Sequence, residues 1–450
     1  MSKTFGELVN LKESKWKGIP TGMYLTMLVV VTMMVYLTDA NGVQGGYIRP
    51  NFLSILALTA VFGIFFGEIG DRIPVWNKYV GGGTVLVFFM GAIFGTYELL
   101  PETVLKSSKL FYNKQPVNFL ELFIPALIVG SVITVNRKTL LKSVSGYIPL
   151  ILIGVAGAST GGILVGLLFG IAPLDIIMNY VLPVMGGGTG AGAIPMSEMW
   201  AQKTGGDPTE WFAFGISILT IANIIAIFTG ALLKTLGEKK PHLTGNGQLI
   251  ITGTGEAEKD TDWNATGADQ QDFAAALFMT GVLFMFAHFS AEIWESWNLA
   301  FDIHRLAFLV IYVIILNVLD VVPVRLKAGA KNMQAFFSKY TIWILMAVVG
   351  FTTNVNDIIT ALTPANLAIA TAIVLGATGA IMAASKAFKF YAVEAAITAG
   401  LCMANRGGSG DIAVLGAADR MELISFAQIS SRIGGAMMLI IGSVIFGLFA

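Results

Sequence analysis

Apolar runs of membrane-spanning length follow one another along this chain, separated by short polar breaks. Eleven of them, near 21–38, 51–67, 79–97, 118–135, 147–170, 211–233, 273–291, 303–322, 340–355, 365–385 and 424–449, read as crossing helices, because a helix needs about 20 apolar residues to span the hydrocarbon layer. Two further apolar segments, 174–198 and 390–412, are broken by glycine clusters and read as re-entrant hairpins that enter and leave on one side. Backbone that leaves the helix at membrane depth must be buried in protein or face a watery cavity. The pattern predicts an all-α polytopic membrane protein with about 11 transmembrane helices and two hairpins.

The hairpins are a pair. The first carries Gly187-Gly188-Thr189-Gly190 within MGGGTGAGAIPMSE, and the second Gly407-Gly408-Ser409-Gly410 within CMANRGGSGD, about 220 residues later. The apolar helix before each holds a run of small residues, GASTG at 157–161 and GATG at 376–379, and the helix after each begins Phe-Ala with Ile-Ser following. With the first span set aside, five crossings and a hairpin occur twice. An odd number of crossings inverts the second half, so the reading is two inverted repeats. The organisation expected is an N-terminus and extra first span over 1–50, a first repeat over 51–233, a polar linker over 234–272 and a second repeat over 273–450. Matched glycine-interrupted segments in two halves are the best sequence pointer to a transporter's binding site.

Composition agrees. Hydrophobic residues make up 55% of the 450 and charged residues only 12%, against roughly 25% charged in soluble domains, and mean hydropathy is +0.74. The formal net charge is zero, so nothing points to nucleic acid. Cys402 is the one cysteine, and no CxxC, HExxH or carboxylate–histidine pattern points to a metal enzyme. No paired acid and base or nucleophile constellation is visible either, so the chain is read as a non-enzyme. Basic residues prefer cytoplasmic loops. Lys3, Lys12, Lys15 and Lys17, then Arg72/Lys78, Arg137/Lys138/Lys143, Lys234/Lys239/Lys240, Arg325/Lys327/Lys331/Lys339 and Lys386/Lys389 all fall on one side, which places the N-terminus in the cytoplasm and the C-terminus outside. Arg49, Arg305 and the Lys106/Lys109/Lys114 cluster fall opposite, the cluster softened by Glu98 and Glu102.

Charges inside apolar segments mark function by default. Arg406 sits beside the second glycine cluster, and Arg432 lies within the last span with Gln428 one turn earlier. A guanidinium fork suits a carboxylate or a phosphate, and glycines let backbone N–H groups and a helix N-terminus approach an anion. Two arginines with Ser409, Ser430 and Ser431 nearby fit a small anion with at least two carboxylates and a hydroxyl, and phosphate fits the same groups. Asp411 and Glu198, one in each cassette, are candidates to bind Na⁺ or to carry a proton. Thr189 and Ser409 offer hydroxyls at matched positions, Asn405 can serve substrate or cation, and Asn223 either does the same or bonds a neighbouring helix. Glycine-lined hairpins also build channel filters, which leaves an anion channel as the reading from another class.

The two cassettes, in particular ITAGLCMANRGGSGDIAVLGAADRMELISFAQISSRIGG, together with VNRKTLLKS at 135–143 and GEIGDRIPVWNKYVGGG at 67–83, resemble the bacterial 2-hydroxycarboxylate transporter family over nearly the whole chain, above all its sodium–citrate symporter branch. The resemblance implies a homodimeric secondary transporter of the plasma membrane, in which a domain carrying both hairpins shifts across the membrane in an elevator motion. It implies that Arg406 and Arg432 hold substrate carboxylates, with Asn405, Gly408 and Ser409 adding contacts from the second hairpin and Thr189 and Gly190 from the first. Ser409, Asp411, Ser431 and Glu198 would surround Na⁺, the coupling ion. Citrate symporters of the family place Asn where this chain has Thr189, so malate stands beside citrate as substrate. Asp411 and Glu198 resemble the sodium-coupled members, with proton coupling and substrate exchange as the alternatives.

Overall fold

The computed structural model describes residues 15–48, 51–74, 76–77, 82–114, 118–135, 146–251, 266–297, 303–407 and 409–449. Each of the eleven predicted spans contains a helix among its described residues. Seven helices among the described residues are long and apolar enough to cross a membrane: Phe52–Arg72, Tyr147–Leu168, Pro208–Lys239, Gln270–Ser296, Val324–Thr352, Pro364–Phe388 and Phe426–Phe449. Four of the predicted spans correspond to shorter apolar helices, Thr21–Tyr36, Gly82–Thr96, Phe119–Val132 and Arg305–Leu319. In chain order the elements used below are α1 (Thr21–Tyr36), α2 (Phe52–Arg72), α3 (Gly82–Thr96), α4 (Tyr147–Leu168), α5 (Pro173–Met185), α6 (189–204), α7 (Pro208–Lys239), α8 (Arg305–Leu319), α9 (Val324–Thr352), α10 (Pro364–Ala384), α11 (Ala392–Leu401), α12 (Ser409–Ala418) and α13 (Phe426–Phe449).

The chain divides into two units, each drawing on both sequence halves. One comprises the described residues up to Phe123 with Phe336–Ile359. Its core is aromatic. Phe62 lies against Phe66, Phe94 and Phe351 at ring-centroid distances of 4.7, 5.2 and 4.8 Å. Trp343 fills the notch left by Gly63 and Gly67, where a methyl on either glycine would come within 3 Å of it. At one end Trp16 stacks on Tyr24 at 5.0 Å, the Arg72 guanidinium covers Trp16, and Lys17 pairs with Asp71 at 3.2 Å.

The second unit comprises Ile124–Ala335 and Thr360–Ala450. Its principal seam is α4 against α10, and the small-residue runs echoed in the sequence are that seam. A methyl on Gly157 would lie 2.5 Å from the Gly376 carbonyl oxygen, and one on Gly376 would strike the Gly157 carbonyl in return. Small residues let helix backbones approach where lipid supplies no hydrophobic drive for association. Gly376→Val would push two backbones apart with no flexible side chain to give way. It is expected to cost about 2–3 kcal/mol, read as a melting temperature several degrees lower in detergent.

Helix ends depart from the sequence reading at both hairpins. The first was expected over 174–198, but α6 runs on to Thr204, where Gly205 takes the left-handed conformation (φ 71°) that stops a helix. The apolar pattern fades at Glu198, whereas the helix stops only at its C-terminal glycine. The second, expected over 390–412, continues through α12 to Ala418 and ends at Asp419, also left-handed (φ 54°).

Candidate functional site

The first glycine turn joins two arms in the second unit. α5 has 13 residues, about 20 Å of rise and too short to cross the hydrocarbon layer alone, and Leu182–Met185 are buried to its end. The turn Gly186–Gly188 follows, with Gly187 at φ 76° and Gly188 at φ 117°, ψ −179°. α6 then opens with a widened turn in which Ala193 N–H reaches back five residues to the Gly188 carbonyl at 3.0 Å. Such π-type turns are frequent at functional sites.

The second turn is built the same way and tied by one side chain. α11 ends in widened turns, with Cys402 N–H donating to the Ile397 carbonyl at 3.0 Å. Asn405, fully buried, donates from Nδ2 to the Leu401 carbonyl (3.1 Å) and to Asp411 Oδ1 (3.0 Å), and accepts from Gly407 N–H at 2.6 Å. The Asn405 amide therefore bridges the end of one arm, the turn and the first helical turn of the other.

The two turns meet. Thr189 N–H donates to the Arg406 carbonyl at 3.4 Å, and a methyl on Gly188 would stand 2.7 Å from that same oxygen. Two more elements close on the junction. α7 brings Asn223, whose Oδ1 accepts from Arg406 N–H at 3.4 Å. α13, widened again over Ser430–Gly434, brings Ser431 within 2.9 and 2.8 Å of the two Asp411 oxygens and 3.2 Å of the Cys402 carbonyl. The Thr189 hydroxyl is buried here and hydrogen-bonds to no described protein group. A buried polar atom left so is costly, and a ligand oxygen would satisfy it.

Two kinds of chemistry sit side by side. Asp411 is 1% exposed and has the Ser431 hydroxyl against both its oxygens, with the Cys402 carbonyl 3.2 Å from that hydroxyl and the Asn405 Nδ2 on its other side; a hard cation takes carboxylate, hydroxyl and carbonyl oxygens of this kind. Arg406, the Thr189 hydroxyl and the N-terminal end of α12 are suited to an anion. Arg432, on the same turn of α13 as Ser431, has its Nη2 2.9 Å from Gln428 Oε1, which holds the guanidinium to the helix surface.

Of the residues singled out in the sequence, Thr189, Asn405, Arg406, Asp411 and Ser431 are thus brought together, with Arg432 adjacent in sequence. Gly190 follows Thr189 with Leu127 beside it, where a methyl would lie 3.1 Å from Cδ1. Glu198 stands nine residues beyond Thr189 along α6, about 14 Å of helix rise, and is partly buried. Gly408 and the Ser409 side chain lie outside the described residues. Asn223, which the sequence left between two roles, is at the junction itself. Glu394 went unremarked although it is a fully buried charge within an apolar run; the criterion that singled out Arg406 would have found it.

A model of the 2-hydroxycarboxylate transporter family matches residues 16–444. The citrate/sodium symporter of Salmonella typhimurium is 42% identical over 96% of this chain and 94% of its own length. Two proteins of Bacillus subtilis are more distant: a citrate/malate-proton symporter, 30% identical over 96% of this chain and 92% of its own, and a Na⁺–malate symporter, 29% identical over 98% and 95%.

Proposed function

The chain belongs to the 2-hydroxycarboxylate transporter family, and on that premise we propose that it is a Na⁺-coupled symporter of citrate or malate that works as a homodimeric elevator. That it is a multi-pass transporter of 2-hydroxycarboxylates in the bacterial plasma membrane follows from the family and from its apolar helices. The coupling ion, the substrate within that class, the inverted repeats and the motion are this reading's own.

The observation that carries it is the junction of the two glycine turns, where the buried Asp411 carboxylate and the Arg406 backbone are joined through Asn405 and Asn223. A cation bound at Asp411 would bear on the same turn that presents Arg406 to a substrate carboxylate. Binding either ligand then orders the turn for the other, which is the physical content of coupling. Proton coupling is the second reading, since a relative of this length is a proton symporter; a buried carboxylate can take up a proton in place of Na⁺. Arms too short to cross support the re-entrant reading, and a glycine-lined turn allows backbone to approach a dicarboxylate.

Uptake of labelled citrate and malate into liposomes decides between these. An inward Na⁺ gradient is expected to drive accumulation that disappears when K⁺ replaces Na⁺. Uptake that persists in K⁺ and collapses with the proton gradient would overturn sodium coupling. Flux that follows no ion gradient and needs internal substrate would make the protein an exchanger.

A further inference from the structure

The polar stretch after α7 was expected to be a plain linker, yet its described part is docked. Pro241–Leu243 forms one helical turn, and the chain then runs along the open end of the second hairpin. Ile250 pairs with Phe390 in a β-bridge, with Tyr391 N–H donating to the Leu249 carbonyl and Ile251 N–H to the Lys389 carbonyl, both at 2.9 Å. Leu249 and Thr244 are buried.

Beneath this segment lies an ion pair that spans the two arms. Glu394, in the first turn of α11, is fully buried and accepts from Arg420 Nε at 3.1 Å. Arg420, 8% exposed, lies two residues past the end of α12. The docked segment supplies what remains of the carboxylate's needs: Thr244 Oγ1 donates at 2.6 Å, Gly245 N–H at 3.0 Å and Gly247 N–H at 3.3 Å. Asn246 Oδ1 and Thr244 Oγ1 accept from Arg420 Nη2 at 3.4 and 3.3 Å. The neighbouring Asp419 binds Lys234 near the end of α7 at 3.1 Å. Burying an ion pair is unfavourable unless further hydrogen bonds satisfy both partners, and here those bonds come from a segment belonging to neither arm.

We propose that residues 244–251 are a strap that holds the open end of the second hairpin shut, and that Glu394 and Arg420 are positioning residues for the binding groups at its glycine end. The arms are each 10 residues long, about 15 Å, so their spacing at Glu394 and Arg420 is transmitted along two short rigid rods to Asn405 and Asp411. Their role as binding groups rests on the function proposed above; the strap itself does not.

The protein contains its own reporter. Cys402 is the only cysteine in the chain, lies at the glycine end of α11 and is fully buried. Gly245→Ala would drive a methyl into the Tyr391 ring and the Gln248 carbonyl, lifting the strap without touching the ion pair. Thr244→Val removes the shared hydroxyl at constant shape. Asn317→Ala on α8, which deletes two buried hydrogen bonds to the Val132 and Val135 carbonyls, serves as a destabilised control outside the strap. The rate of Cys402 alkylation by N-ethylmaleimide, measured in detergent without Na⁺ or substrate, is expected to rise about tenfold in Gly245→Ala and in the same direction in Thr244→Val, and to stay near wild type in Asn317→Ala. An unchanged rate in the folded strap variants, or an equal rise in Asn317→Ala, overturns the proposal. Because no transport is measured, failure of Na⁺-driven uptake in the wild-type protein would refute the symporter reading and leave the strap standing.

Discussion

Asp411→Asn is expected to lower Na⁺-driven uptake by about 100-fold while the protein remains folded and inserted. The carboxylate is buried between Ser431 and Asn405, with the Cys402 and Leu401 carbonyls close by. An asparagine fills the same volume. Ser431 keeps an acceptor in the Cys402 carbonyl and can receive a hydrogen bond from the new amide, so the local network survives in altered form. What is lost is the negative charge, and with it the reason for a cation to leave water for a buried site. Removing the charged partner from a buried ionic contact costs about 3–5 kcal/mol, and about 2.8 kcal/mol is already a factor of 100 in affinity. The test is the Na⁺ dependence of uptake in liposomes, with a wild-type elution profile in detergent as the check on folding. A variant whose half-saturating Na⁺ concentration matched wild type would remove Asp411 from the cation site.

How much of this was legible in the sequence depends on where the signal is local. The apolar helices were, because lipid demands about 20 apolar residues in a row and a helix satisfies its own backbone. The glycine turns were, because three consecutive glycines or a Gly-Gly-Ser-Gly run break a helix rather than pack it. Where Asn223 acts was not, since one polar residue in a helix reads the same whether it faces a partner helix or a ligand. The strap was hidden more deeply. TGNGQLI at 244–250 has the composition of a loose linker, and what orders it is a carboxylate 150 residues downstream at Glu394 that the fold brings beneath it. Its partner Arg420 lies another 26 residues on. No periodicity joins those three positions; only the return of the chain at the glycine turn does. The end of α6 was hidden for a related reason, since the apolar run fades at Glu198 while the helix continues to Thr204.

Gly188→Ala is expected to lower transport as far as Asp411→Asn does, by a different route. Gly188 has φ 117° and ψ −179°, a region that is essentially glycine's alone and costs other residues about 1–3 kcal/mol. The added methyl would also lie 2.7 Å from the Arg406 carbonyl oxygen and 3.1 Å from Gly407 Cα. Both neighbours are backbone, so neither can swing aside, and the turns must separate. Separation breaks the Thr189 N–H bond to Arg406 and moves the Thr189 hydroxyl away from the second hairpin. Uptake of citrate and of malate should fall together, because the geometry shared by both substrates is lost rather than a contact to one of them. Gly416→Ala is the control: it lies on α12 of the partner hairpin, in helical backbone, with open space where the methyl would go. It is expected to transport at the wild-type rate. If Gly188→Ala retained uptake while folded, close approach of the two turns would not be required for transport; if Gly416→Ala lost it, the hairpins would tolerate no added methyl even in open space and the Gly188 result would carry no weight about the junction.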